Sequence, residues 1–375
     1  MRIALVVPGG VDRTGEFRVI PALLAFIERL SGHHEVDVFA LNQEPEPAEW
    51  PLLGARIHNI GPHRTRSRAL HAIWRRYRSN PPHLVQSIWS SACGVIAVSA
   101  GMLLRRPSLI HVAGGELAAV PEIGYGEALR WRGRLRERLV LRRASAVSAA
   151  SAPIIDKLAT LGVAASRIPL GVDARRWPPR PPAPRAPDRP ARLIHVASLN
   201  AVKDQTTLLH AVAALARLGI PFQLDIVGED TLGGAVQDLT VRLQLGDRVR
   251  FHGFLPQAQL RPLVAAADLM IISSRHETGP VALLEAAMVG VPTVGTSVGH
   301  IAEWAPDAAI AVPVGDSQAL ALAAKGLLLD ESARLKIASS AHARACADDA
   351  DNTARLFENL YARVCGSVRD GGPGP

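Results

Sequence analysis

Along this chain of 375 residues, short unbroken apolar runs alternate with longer stretches in which apolar positions recur every three or four residues. The first pattern suits a strand buried on both faces, the second an amphipathic helix. Arg2 to Val7 is the first run; it ends in Pro8-Gly9-Gly10, and a helical pattern follows from Glu16 to Leu30. Further strands are predicted from Ser108 into the Gly114-Gly115 turn, and at Ser145 to Ser151, Phe222 to Gly228 and Leu269 to Ile272, with a helix from Thr206 to Leu218. Strands that alternate with helices in this way predict an α/β protein built on doubly wound parallel sheets. The turn after the first strand lacks G-x-G-x-x-G, so a nicotinamide cofactor is not indicated.

The length suggests two domains, each able to bury its own core. Between them the composition changes abruptly: Trp177 to Pro190 is dominated by proline, which is excluded from sheet and helix interiors and makes a semi-rigid spacer. The predicted layout is a first domain over 1–176, a linker over 177–190 and a second domain over 191–350. A C-terminal helix over 351–366 would cross back to the first domain, and 367–375 would be a disordered tail.

One stretch concentrates the candidate chemistry. Asp268 to Gly299 reads as strand, loop, helix and strand, with Glu277 in the loop and Glu285 about one turn inside the helix. Thr278 occupies the expected N-cap and Pro280 the first helical position, where a missing N–H is no loss. Both carboxylates can then face the crevice at the carboxyl ends of the strands, where open α/β sheets bind ligands and a helix N-terminus attracts phosphate.

Glu277-x7-Glu285 followed by A-A-M-x-G-x-P resembles the E-x7-E signature of the retaining glycosyltransferases of family 4, which have the GT-B fold. The resemblance implies two Rossmann-like domains facing a central cleft, with a nucleotide-diphosphate sugar as co-substrate held mainly by the second. Arg167 to Asp173 resembles the family's I-P-N-G-V-D exit from the first domain, and Asp247 to Phe254 its D-R-V-x-F-x-G strand, placing Phe254 beside the nucleobase. The family's G-R-L-x-x-x-K-G becomes S-L-N-A-V-K-D-Q here. Lys203 is kept for the donor diphosphate, Ser198 replaces the arginine and Asp204 the glycine, and Asn200 lies in the same donor loop.

No plausible metal cluster is visible, so the charge that builds on the leaving diphosphate falls to Lys203, to the N–H groups at Gly279 and Val281, and to the helix dipole behind them. Glu285, an acceptor only, suits the ribose hydroxyls, and Glu277 the hydroxyls of the donor sugar near the anomeric carbon. On the acceptor side the resemblance offers Gly10 or Gly15 in the first glycine turn. The family's histidine near the donor sugar aligns with Ala113; either His111 takes its role, or Gly114, Gly115 and Glu116 line the pocket without it. Asp349-Ala-Asp351 matches a bare D-x-D, but it follows an alanine-rich helical run and reads as a helix-start acid cluster.

Composition excludes several classes. Hydrophobic residues make up 48% and charged residues 20%, and no run approaches the roughly 18 apolar residues of a transmembrane helix. The N-terminus reads as a strand and not as a signal peptide, and three scattered cysteines imply neither a disulfide framework nor a zinc site. These features fit a reducing cytosol. A net charge of +8 suggests an anionic partner. Arginines cluster over 64–78, with Trp74, and over 130–143, with Trp131; both segments are candidates for an anionic membrane surface. No motif accompanies them that would suggest nucleic acid.

The functional expectation is therefore a metal-independent retaining glycosyltransferase, without cofactor, in the cytoplasm or on the inner face of the cell membrane. It would act on a glycan, lipid-linked or small-molecule acceptor in envelope or exopolysaccharide synthesis. The alternatives are an epimerase or phosphorylase of the same fold, separable by dependence on inorganic phosphate or product nucleotide, and a degenerate scaffold that binds no nucleotide diphosphate.

Overall fold

A computed structural model describes residues 1–186 and 188–370. The chain forms two compact units, Met1–Gly171 together with the segment from Ala350 onward, and Val172–Asp349. Both are parallel-sheet Rossmann-like domains of the GT-B type.

The first unit holds β1 (Arg2–Val7), β2 (Glu35–Ala40), β3 (Ala48–Leu52), β4 (Ala55–Asn59), β5 (Leu84–Ile88), β6 (Ser108–Val112), β7 (Ala146–Ala149) and β8 (Ser166–Arg167). They lie in the order β3-β4-β2-β1-β5-β6-β7-β8, parallel except for the hairpin β3-β4. The central strands β1, β5 and β6 are buried because helices cover both faces, and β1 accordingly reads as an apolar run from Ile3 to Val7. The helices are α1 (Pro21–His33), α2 (Thr65–Tyr77), α3 (Ser91–Leu104), α4 (Trp131–Arg143) and α5 (Ala152–Thr160).

One helix start differs from expectation. Helix α1 begins at Pro21 and not at Glu16, because Val11 and Val19 pair as an antiparallel bridge and close the intervening residues into a loop. Helix α4 buries Gly133, Glu137, Val140 and Leu141, and its apolar residues Trp131, Leu135 and Leu139 point outward, 62%, 48% and 51% exposed.

The second unit contains β9 (Ala191–Val196), β10 (Phe222–Val227), β11 (Val249–Phe251), β12 (Leu269–Ile272), β13 (Thr293–Thr296) and β14 (Ile310–Val312), all parallel, in the order β11-β10-β9-β12-β13-β14. Around them run α6 (Gln205–Arg217), α7 (Ala235–Arg242), α8 (Gln257–Ala265), α9 (Val281–Met288), α10 (Gly299–Trp304), α11 (Ser317–Leu329) and α12 (Glu331–Ala347). The proline-rich stretch is no free spacer. Trp177 is buried in this unit's core, Arg180 N–H donates to the Met288 carbonyl at 2.9 Å, and Arg334 Nη2 donates to the Ala183 carbonyl at 2.7 Å. Prolines bring few donors, so the stretch is fastened through its carbonyls and the residues between them.

The last helix, α13 (Ala350–Asp370), belongs to the first unit. Phe357 stacks near Phe26 with ring centroids 4.7 Å apart, and Thr353 Oγ1 accepts from Gly171 N–H at 2.9 Å. Asp351 sits in its first turn and pairs with Arg29 at 2.7 Å, so the D-x-D is a helix start. The helix extends to Asp370, past the predicted limit of 366. Of the predicted tail, 371–375 lie outside the described residues.

Candidate active site

Each sheet reverses its strand order once on leaving its first strand, beside β1 in the first unit and beside β9 in the second. At such a point the two following loops diverge to opposite faces and leave a crevice at the carboxyl ends of the strands. The candidate residues gather at these two places.

In the second unit the loops after β9 and β12 meet. Asn200 Oδ1 accepts the N–H groups of Val202 and Lys203, each at 3.1 Å, and so folds the first loop around itself. Ser273 Oγ donates to the Lys203 carbonyl at 2.8 Å, and Arg275 N–H to the Val202 carbonyl at 2.7 Å, which ties the second loop to the first. Lys203 Nζ then lies 2.5 Å from Glu277 Oε1, which also accepts from Ser274 Oγ at 2.7 Å. Asp204 adopts φ +48, in the left-handed region where glycine is favoured and aspartate tolerated. It also caps α6 through Thr207 and pairs with Arg275 at 3.0 Å.

Helix α9 starts at Val281 with Pro280 in extended conformation before it. The N-cap position is therefore Pro280 and not Thr278, because Pro280 keeps ψ at 113 and delays the helical turn by one residue. Thr278 is instead buried in the preceding loop. Gly299, at φ +49, allows the loop after β13 to pass that segment; a Cβ there would come within 3.0 Å of its backbone. Glu285 is buried on α9, and desolvation raises its pKa to about 7. Its Oε1 accepts from Gln257 Nε2 at 3.0 Å.

In the first unit, a cavity of about 700 Å³ opens where the loops after β1 and β5 diverge. Trp89, Tyr125 and Glu116 line it, with Arg66, Glu127 and Arg130 towards its rim. Glu116 Oε1 accepts from Ser90 N–H at 2.9 Å and Oε2 from Gly114 N–H at 2.7 Å, joining the loop after β5 to the loop after β6. Behind it Glu137 Oε2 accepts from Ser90 Oγ at 2.6 Å, and burial raises the Glu137 pKa to about 7.

Comparison with known proteins now has a geometry to meet. A family model described as glycosyl transferases group 1 matches residues 180–344, and one described as glycosyl transferase 4-like domain matches residues 19–171, so the two cover both units. The chain belongs to the group 1 glycosyltransferases. Among curated relatives, glycogen synthase of Mycobacterium tuberculosis is 26% identical over 298 residues, 69% of this chain and 71% of its own. The putative colanic acid biosynthesis glycosyltransferase WcaL of Escherichia coli is 34% identical over 167 residues, 42% of this chain and 40% of its own. Among solved structures, sucrose-phosphate synthase from Thermosynechococcus elongatus shares the fold with a TM-score of 0.79 at 18% identity, over 98% of this chain and 100% of its own. Anabaena HepE in complex with UDP-glucose follows at 0.72 and 19%, over 96% and 99%.

In this glycosyltransferase, the predicted donor residues Lys203, Asn200, Glu277, Thr278, Gly279, Pro280, Val281 and Glu285 fall on the loops after β9 and β12 and on α9. Ser198 is exposed in the first of these loops, its carbonyl accepting from Gln205 Nε2 at 3.1 Å. Phe254, after β11, is 49% exposed. Of the acceptor-side candidates, Gly115 and Glu116 line the cavity and Gly114 adjoins it, whereas Gly10 and Gly15 belong to the loop after β1 without lining it.

His111 is the departure. It points into the interior of the first unit, fully buried against Phe357, with Nδ1 2.9 Å from Ser148 Oγ and Nε2 without a partner. Desolvation lowers its pKa to about 3, so it is a neutral core residue far from any role as an exposed donor or base. Alternation along a strand explains the miss. His111 and Ala113 would share a face if the strand ran on, but β6 ends at Val112 and the backbone leaves the strand before Ala113. Three participants were missed altogether: Gln257, Trp89 and Tyr125. Gln257 had a weak signal as the first residue of a helix after Pro256; the two aromatics had none.

Proposed function

We propose that this glycosyltransferase moves a sugar from a nucleoside diphosphate sugar to a hydroxyl acceptor, with retention of configuration and without a metal ion. The observation that carries the reading is the Lys203–Glu277 pair, 2.5 Å apart at the strand-order reversal of the second unit. The bond from the anomeric carbon to the diphosphate oxygen breaks, a bond to the acceptor oxygen forms on the same face, and the acceptor's hydroxyl proton passes to the departing diphosphate. Negative charge collects on the diphosphate as the sugar gains oxocarbenium character. Lys203 and the free N–H groups at the start of α9 meet that charge, and fixed donors of this kind act where charge develops. Glu277, released from Lys203 when phosphate takes its place, turns to the sugar hydroxyls, while Glu285 with Gln257 takes the ribose. Among the described residues no group of three or more His, Cys, Asp or Glu could hold a metal ion.

The same reading places the protein in cell-envelope or exopolysaccharide synthesis on the cytoplasmic side of an anionic membrane. Among the described residues no helix is long and apolar enough to cross a membrane. What supports contact with lipid is α4, whose outward Trp131, Leu135 and Leu139 recur every four residues among Arg132, Arg134, Arg138 and Arg142. Aromatic and aliphatic side chains flanked by arginine suit the headgroup boundary. Helix α2 adds Trp74, 39% exposed, with the Arg78 guanidinium over its ring at 5.7 Å. Arg76 and Arg136 are held in ion pairs with Asp37 and Glu127 and contribute less.

A thermal-shift screen of nucleoside diphosphates and their sugars tests the transferase reading, since a ligand at 100 times its dissociation constant stabilises by about 2.7 kcal/mol. Failure of every nucleotide to shift the melting temperature would count against it. Sedimentation with anionic and neutral vesicles tests the lipid reading. Binding should require anionic lipid and weaken with salt, and equal binding to both vesicles would refute it.

A further inference from the structure

We propose that the cavity of the first unit is a site for a saccharide that carries a phosphate group, its ring seated on Trp89 and Tyr125 and its phosphate met by Arg66 and Arg130. This rests on the glycosyltransferase reading and names the class of acceptor it uses.

The site is built around two aromatic rings. Trp89 holds φ +72, a conformation unfavourable for so bulky a residue, directly after β5. It is held there by its N–H bond to the His111 carbonyl at 2.8 Å and by the Glu116 bond to the next residue, Ser90. The indole lies over Gly114, where a Cβ would come 2.8 Å from its Cδ1, and Tyr125 lies over Gly115, where a Cβ would run into the phenol. Tyr125 is fixed in turn by a pair of backbone bonds with Val120, at 2.8 and 3.1 Å. Gly114-Gly115 is thus the floor on which two rings rest. Flat aromatic faces beside a polar rim suit pyranose rings, whose C–H faces are apolar and whose edges carry hydroxyls.

The charge around the rings is unbalanced. Glu116 spends both oxygens on backbone N–H groups in the interior, and burial raises its pKa. At the rim, Glu127 is neutralised by Arg136 at 2.7 Å. Arg66 and Arg130 are exposed, and neither has a carboxylate partner among the described residues. Two unpaired guanidinium forks at the mouth of a cavity match the geometry of a phosphate. The volume, about 700 Å³, exceeds the need of one hexose and leaves room for that group.

The same phosphosugar could reach the site as a free molecule or attached to a lipid. Calorimetric titration of the full chain is run in a saturating concentration of the nucleoside diphosphate that gives the largest shift in the thermal-shift screen, which keeps the second unit's phosphate site filled. The probes are hexose and N-acetylhexosamine phosphates, their unphosphorylated parents, and a long-chain alkyl glucosyl phosphate in neutral detergent micelles. At least one phosphorylated sugar should bind ten times more tightly than its parent, and Arg66→Gln with Arg130→Gln should erase that difference. A soluble phosphosugar that meets this criterion assigns the free form. If only the alkyl form shows the same arginine dependence, the lipid-linked form is the ligand. The proposal is overturned if no probe binds, if phosphate confers no advantage, if the double variant keeps the advantage, or if nucleoside monophosphates bind the cavity better than any sugar phosphate. The melting-temperature shifts with nucleoside diphosphates are read separately. If none of them gives a shift, the transferase reading falls, while the titration, repeated without nucleotide, would still decide the cavity.

Discussion

The two strand-order reversals are topologically alike yet chemically opposite. Beside β9 the crevice is narrow in its chemistry: an ammonium, a carboxylate and a helix start, braced by short polar side chains. Beside β1 it is a roomy cavity with aromatic walls, its buried acids Glu116 and Glu137 turned inward to brace the Ser90 backbone and hydroxyl. The contrast follows from the tasks proposed for each. Stabilising a diphosphate needs fixed charges at set distances, which few residue types supply. Receiving an acceptor needs shape and stacking, which many combinations supply.

The largest expected effect tests the charged side. Lys203→Ala should lower turnover by about a hundred- to a thousandfold, on the order of 3 to 4 kcal/mol, measured as UDP release from a sugar donor. With Ser198 in place of the family's arginine, the lysine carries this task without that neighbour. Near-native turnover would show that the crevice beside β9 is not where the leaving group is met.

Next is the brace of the other side. Glu137 keeps its proton up to about pH 7 in the folded state, against a reference value of 4.5. Between those values the folded state binds more protons than the unfolded state, so this group's contribution to stability falls as pH rises from about 5 to 7. Glu137→Gln removes that dependence and keeps a partner for Ser90. Relative to the parent, its stability should rise across the same window by on the order of 2 to 3 kcal/mol, read by denaturant unfolding at pH 5 and pH 8. A difference that does not change with pH would mean that Glu137 is ionised in the folded state.

Gly115→Ala separates the two crevices. A methyl group at Gly115 would run into Tyr125 and close part of the cavity. Acceptor-dependent transfer should fall at least about tenfold, roughly 1.4 kcal/mol, while calorimetric UDP affinity stays unchanged. Loss of UDP binding as well would dissolve the distinction between them.

The smallest effect divides the glutamates. Glu285→Gln should weaken UDP binding by about tenfold, and Gln257→Ala by less, since hydrogen bonds to charged groups contribute roughly 1.5 to 3 kcal/mol. Glu277→Gln should spare UDP binding and damage turnover with the sugar donor. Identical behaviour of the two glutamate variants would refute the division of roles.

Some of this was legible in one dimension. Strand runs, the helices between them, and the spacing of Glu277 from Glu285 depend on neighbours a few residues away, because local periodicity decides which face a residue presents. Lys203 was named on its resemblance to the family's G-R-L-x-x-x-K-G, a segment whose pattern is itself local, and it lies in the short loop after β9. Asp204 seemed a loss of glycine and proved compatible with a left-handed turn. What the tertiary structure alone decided depended on distant partners. Helix α4 carries apolar residues on more than one face, and only its packing on α3 and the buried Glu137 shows that Trp131, Leu135 and Leu139 are the ones left outside. The proline stretch reads as a spacer until Trp177 and the carbonyl of Ala183 find places in the second unit. His111 reads as a site residue until Phe357, 246 positions later, covers it. Trp89, Tyr125 and the glycine pair come together only when the loop after β5 meets the connection from β6 to α4, since no sequence spacing encodes which ring will lie over which glycine.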